Sequence, residues 1–103
     1  MRQRLENRRA SISFNFECGR FTYVATISYF PGGGLAEIFL GNGKAGSDSD
    51  SAAKDSAVVA SIGLQFGVPL DVIRKALLRD SRGVASSPLG CVLDAIAKQG
   101  NKR

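Results

Sequence analysis

Leu35-Ala36-Glu37-Ile38-Phe39-Leu40-Gly41-Asn42-Gly43-Lys44-Ala45-Gly46-Ser47 divides the chain into two halves of different character. Leu35 to Leu40 is a short apolar run that reads as a strand. The glycines behind it form a permissive turn. Ser47-Asp48-Ser49-Asp50-Ser51 is then dense in residues that cap helix N-termini. Between a polar arm at residues 1–9 and this stretch the chain has strand character, and after it the chain is mainly helical in character.

Upstream, Ser11 to Cys18 alternates. Ile12, Phe14, Phe16 and Cys18 share one side, and Ser11, Ser13, Asn15 and Glu17 the other. That is the pattern of a half-buried strand. Gly19-Arg20 makes a tight turn into Phe21 to Phe30, which is rich in aromatic and β-branched residues. Phe21, Tyr23, Ala25, Ile27 and Tyr29 lie on one face of that second strand; Thr22, Val24, Thr26, Ser28 and Phe30 lie on the other. Pro31-Gly32-Gly33-Gly34 turns the chain into the third strand.

Downstream, a helix is expected from about Ser51 to Phe66. Ala57, Val58, Ile62 and Phe66 fall at helical spacing, with Ala53 and Ala60 as close-packing positions. Gly67 suits its C′ position, and Pro69 the first turn of the next helix. There Leu70, Ile73 and Leu77 share a face while Arg74, Lys75 and Arg79 are exposed. Asp80 to Ser86 is a loop. Ser87-Pro88 opens a third helix with the stripe Leu89, Leu93 and Ile96. Strands segregated from helices define an α+β fold, a three-stranded antiparallel meander followed by three helices packed on one face. The second face, with Thr22, Val24, Thr26 and Phe30, is expected to bury itself in a homo-oligomer.

One domain is expected from 103 residues: a basic arm at 1–10, the domain at 11–98 and a basic tail at 99–103. The net charge of +5 favours anionic partners. No apolar run is long enough to span a membrane, and no apolar signal core follows the basic start. A cytoplasmic protein is expected. Two cysteines, Cys18 and Cys91, and no histidine cannot supply the four ligands of a structural zinc within one chain. They are expected to be reduced, half-buried thiols. The missing histidine also removes the usual neutral-pH base, and no serine or cysteine has an evident activating partner. An enzyme is therefore not expected.

The candidate site is an anion-binding loop. Amides of Gly41, Asn42, Gly43, Gly46 and Ser47 would converge on a phosphate at a helix start, with the Lys44 charge beside them. It is not a P-loop: Ala45 follows Gly43-Lys44, and Ile38 holds the place of the first glycine. Asp48 and Asp50 offset the helix dipole, or coordinate Mg²⁺ beside a phosphate. Arg79, Arg82, Ser86 and Ser87, ahead of the last helix, form a second candidate anion site. Neither a cofactor nor a metal is expected. Three partner classes remain open: a nucleotide or other phosphate-bearing small molecule, a nucleic acid held by Arg2 to Arg9 and the basic helix face, and a protein complex docked through the sheet.

The order Leu40-Gly41-Asn42-Gly43-Lys44-Ala45-Gly46-Ser47, Gly67-Val68-Pro69-Leu70-Asp71-Val72-Ile73 and Asp94-Ala95-Ile96-Ala97 resembles the TSCPD domain, with Glu17-Cys18-Gly19 similar to its opening turn. The resemblance covers residues 11 to 98. TSCPD domains stand at the C-terminal end of adenosylcobalamin-dependent ribonucleotide reductases and as small free-standing proteins of bacteria and phages. Here Asp48 replaces a cysteine that often follows the loop serine. The name-giving Cys-Pro-Asp reads Val92-Leu93-Asp94, with Cys91 displaced by one position. The resemblance implies a link to nucleotide biology. A nucleotide-regulating module, or a phage protein sequestering a nucleotide signal of host defence, would fit it, as would an accessory subunit of a reductase.

Overall fold

The computed structural model describes residues 1–3, 5, 10–41 and 48–100. It confirms the α+β order: β1 (Ser11–Cys18), β2 (Phe21–Tyr29), β3 (Leu35–Gly41), α1 (Asp48–Gln65), α2 (Leu70–Ala76) and α3 (Pro88–Gly100). The strands form one antiparallel meander in the order β1-β2-β3. Gly19, at φ 61°, takes the first position of the two-residue β1–β2 turn, where a type II′ hairpin needs positive φ. A bulge between Ser28 and Tyr29 brings Leu35 opposite Tyr29.

The register places Ile12, Phe14 and Phe16 beside Ile27, Ala25 and Tyr23, and continues to Ile38 and Leu40. This inner face is the core. Tyr23, Ala25, Ile27, Ile38 and Leu40 are buried against Leu89, Val92, Leu93 and Ile96 of α3 and against Ala53, Ala57, Ala60 and Leu64 of α1. Phe16 stacks on Tyr23 with ring centroids 5.7 Å apart. On the outer face Thr22, Val24 and Phe39 are exposed, while Thr26 and Phe30 are half-buried.

Helix α1 departs from the expected pattern. Val58, Ile62 and Phe66 point outward, and the buried stripe is Ala53, Ala57, Ala60, Ser61, Leu64 and Gln65. The reason is its position. It runs antiparallel along the outer edge of β3, with Asp50 and Lys54 beside Gly41 and Gln65 beside Ala36. The Ile38 N–H donates to Ser61 Oγ at 2.8 Å, and the same hydroxyl donates to the Ile38 carbonyl at 3.0 Å. Gln65 Nε2 donates to the Ala36 carbonyl at 3.1 Å. Small side chains bring the helix close, and polar ones complete the hydrogen bonds of the strand edge.

The other boundaries follow local chemistry. Gly67, at φ 96°, ends α1 in a Schellman arrangement: its N–H donates to the Leu64 carbonyl, and that of Val68 to the Gly63 carbonyl, both at 3.0 Å. Pro69 is the N-cap of α2 rather than a residue of its first turn.

Candidate functional site

Strands β1 and β3 finish at the same end of the sheet, and the first turn of α3 meets them there. Ser87 caps α3, its Oγ accepting from the Gly90 N–H at 3.2 Å, with Pro88 as the first helical residue. Gly90 is buried here; a Cβ on it would come within 3.0 Å of the Ala85 Cβ. Residues 79–85 form a tight excursion rather than an open loop. Arg79 and Ala85 bridge antiparallel, Gly83 takes φ 82°, and Asp80 Oδ1 accepts from the N–H groups of Arg82 at 2.9 Å and Val84 at 3.0 Å.

The centre of this region is Asp94, in the second turn of α3. Arg79 grips it with both terminal nitrogens, Nη1 to Oδ2 and Nη2 to Oδ1, each at 2.7 Å. Arg74 Nη1 reaches Oδ1 at 3.3 Å, and its Nε reaches Asp71 at 3.3 Å. Arg79 Nη1 also donates to the Gly83 carbonyl at 3.0 Å. The Arg79 hydrogen bonds, with help from Arg74, outweigh partial burial and hold the Asp94 carboxyl below the usual carboxylate value. One carboxylate thus ties α2, the excursion and α3 together. The sequence alone assigns Asp94 no role. Its sequence signal is that it is the sole acid on α3, with Arg74 and Lys75 on the preceding helix and Arg79 just after it.

The two cysteines, 73 positions apart in sequence, meet at this end. Burial, then a hydrogen bond with Cys18, then the nearby charges of Cys18 and Asp94 push the Cys91 thiol up to about 12. Cys91 Sγ also lies 3.7 Å from the Ala85 carbonyl oxygen, to which it donates. Burial and then the same two sulfurs raise the Tyr23 hydroxyl. The Cys91 thiol is therefore protonated and poorly nucleophilic at neutral pH. Among the described residues, no group of three His, Cys, Asp or Glu side chains is placed to hold a metal ion.

The expected site residues divide as follows. Gly41 ends β3, half-buried beside Asp50 and Lys54. Asn42, Gly43, Lys44, Gly46 and Ser47 lie outside the described residues. Arg79 is engaged by Asp94, and the Ser87 hydroxyl by the helix cap. Ser86 is exposed, its N–H donating to the Leu78 carbonyl at 3.0 Å. Arg82 is exposed on the turn, and its guanidinium bonds to no side chain among the described residues. Asp50, buried at the start of α1, pairs with Lys54 at 2.9 Å. At the other pole, Arg2 Nε donates to Gln65 Oε1 at 2.6 Å, and the Gln3 N–H to the Gln65 carbonyl at 2.7 Å. The start of the basic arm is thus fixed to the end of α1.

With this architecture, residues 2–99 match the TSCPD domain, and the chain belongs to that family. It is 35% identical over 71 residues, 69% of its length, to vitamin B12-dependent ribonucleotide reductases of Streptantibioticus cattleyicolor, Streptomyces clavuligerus and Streptomyces avermitilis. The matched segment is 12% of the first reductase and 7% of the other two, so the chain corresponds to a small part of each. No solved structure matches it significantly. Among the described residues, no helix is long and apolar enough to cross a membrane.

Proposed function

We propose that the chain is a non-catalytic module that binds a nucleotide or another phosphate-bearing small ligand, and so regulates or sequesters it. One observation carries the reading: Gly41, which leads into the glycine-rich segment, lies at the same end of the sheet as the excursion bearing exposed Arg82. Lys44 and the amides of residues 41–47 are assigned one phosphate, and Arg82 a second. Arg79 and Ser87 support this site instead of touching the ligand, since their polar groups are already bonded. Kinship with part of the ribonucleotide reductases favours a nucleotide among phosphate ligands. The expected cytoplasmic location agrees with such a ligand.

Titration calorimetry with ATP, dATP and inorganic phosphate tests the reading. Lys44→Ala and Arg82→Ala are expected each to weaken nucleotide binding about tenfold, the worth of one charged contact of about 1.4 kcal/mol, with unchanged circular dichroism. Undiminished affinity in both variants overturns the site. A second reading, an accessory unit of a reductase, is favoured by the match to one segment of those enzymes. It predicts a stoichiometric complex with a reductase catalytic chain and no nucleotide affinity in isolation. Nucleic-acid binding through the arm is a weaker reading, because Arg2 is committed to Gln65; it predicts affinity that falls steeply with salt.

A further inference from the structure

The sheet has two edges, and among the described residues only one is closed. Ser61 and Gln65 of α1 satisfy the backbone of β3, whereas among the described residues no strand pairs with the outer side of β1. The two-residue turn makes Cys18 and Phe21 a mutually hydrogen-bonded pair. Bonding then alternates along the antiparallel ladder. Phe16, Phe14 and Ile12 bond to β2, while Ser11, Ser13, Asn15 and Glu17 aim their N–H and C=O groups away from it. All four of these residues are exposed. Of the devices that normally blunt an edge the strand carries one charge, Glu17, and no proline, lysine or bulge.

We propose that β1 pairs antiparallel with β1 of a second copy, joining two three-stranded sheets into one of six strands about a two-fold axis at Phe14. A partner must match the alternation of the strand, and the strand matches itself. With Phe14 on the axis, Ser11 stands opposite Glu17 of the second copy and Ser13 opposite its Asn15. Every outward N–H and C=O pair is used. On the inner face Ile12, 55% exposed in the single chain, gains Phe16 of the second copy, and the two Phe14 rings meet. A one-residue slip would set apolar side chains against the polar face, and a two-residue slip would leave one of the four outward residues without a partner on the strand, which together fix the register. Glu17 is the sole charge on the strand and never faces its own copy, so no like charges oppose. Because α1 closes the other edge, association stops at two.

The test is sedimentation equilibrium of the full chain, with amide exchange read residue by residue. The expected mass is twice 10.9 kDa. The amides of Ser13 and Asn15 should be protected at high protein concentration and lose protection on dilution, while those of Phe14 and Phe16 stay protected. Asn15→Pro removes an outward N–H that bonds nothing within the single chain, and proline is tolerated on edge strands. It should give a folded monomer, verified by circular dichroism. Asn15→Lys, which leaves the N–H in place and adds a blocking charge, is a second variant and should also dissociate the dimer. A monomer in the unmodified protein overturns the proposal. So does a dimer that survives both variants with Ser13 and Asn15 amides exchanging freely.

Discussion

The two sheet edges solve the same problem in opposite ways. At β3 a helix lies along the strand, and side chains of Ser61 and Gln65 take the place of a neighbouring strand. At β1 the backbone is bare among the described residues, and the inner-face side chains Ile12, Phe14 and Phe16 are buried less than their β3 counterparts. A helix can seal an edge only if it comes close and carries hydrogen-bonding groups, so its inward face must be small and polar. Truncating the two edges should give very different losses. Ile38, fully buried on β3, is expected to cost about 3 kcal/mol as Ile38→Ala. Ile12→Ala on β1 should cost about 1 kcal/mol or less. Urea unfolding of both variants at low protein concentration decides it, and equal losses would mean that the edges are alike.

Ser61→Ala attacks the seal itself. It leaves the Ile38 N–H and C=O without their partner, at a cost of about 1–3 kcal/mol. Ala57→Leu tests closeness rather than hydrogen bonding. Ala57 is fully buried, and overpacking there should cost about 1–3 kcal/mol.

The far end of the sheet from the arm is held by charge, and pH separates that contribution from the seal. The Asp94 carboxyl has a lower pKa folded than unfolded, so the folded state resists its protonation. The stability it contributes is complete above its ordinary value of 3.8 and is lost as pH falls through the folded value. The Cys91 thiol is shifted the other way. Its contribution is complete below the ordinary value of 9.0 and is lost as pH rises toward about 12. Asp94→Asn should therefore lower the neutral-pH melting temperature by a few degrees and flatten the acid limb of the stability profile. Ser61→Ala should lower the whole profile and leave its shape unchanged. An acid limb of unchanged slope in Asp94→Asn would remove Asp94 as the anchor.

The strands were legible because their environment is simple. Alternation in Ser11–Cys18 and across Tyr23, Ala25 and Ile27 reports one buried face, though Ser28 is buried on the opposite face against Glu37, and Gly19 and Gly67 sit where positive φ is needed. The Ser87-Pro88 start of α3 was equally local. Helix α1 misled, because apolar spacing picks out Val58, Ile62 and Phe66, whereas docking on a strand edge selects Ala57, Ser61 and Gln65. The meeting of Cys18 with Cys91, and the grip of Arg74 and Arg79 on Asp94, depend on how α2 and α3 fold back, which no spacing in the chain encodes. Of the candidate site, Arg82 is exposed, whereas Arg79 is engaged by Asp94 and the Ser87 hydroxyl by the helix cap, pairings that the sequence does not reveal.

The smallest expected effect tests the outward side of α1, next to the Val58 and Ile62 that the spacing favours. Val59 is 69% exposed on the side of the helix away from β3. Replacing it with lysine removes little buried area and introduces a residue of better helix propensity. Val59→Lys is expected to change unfolding stability by no more than about 0.5 kcal/mol in either direction. Set beside Ala57→Leu, two residues earlier on the sealed face, it measures how sharply the β3 edge divides the helix. A loss of about 2 kcal/mol in Val59→Lys, the size of a buried apolar side chain, would mean that the outward face is covered in solution. The place to look would then be the neighbouring exposed residues Val58 and Ile62.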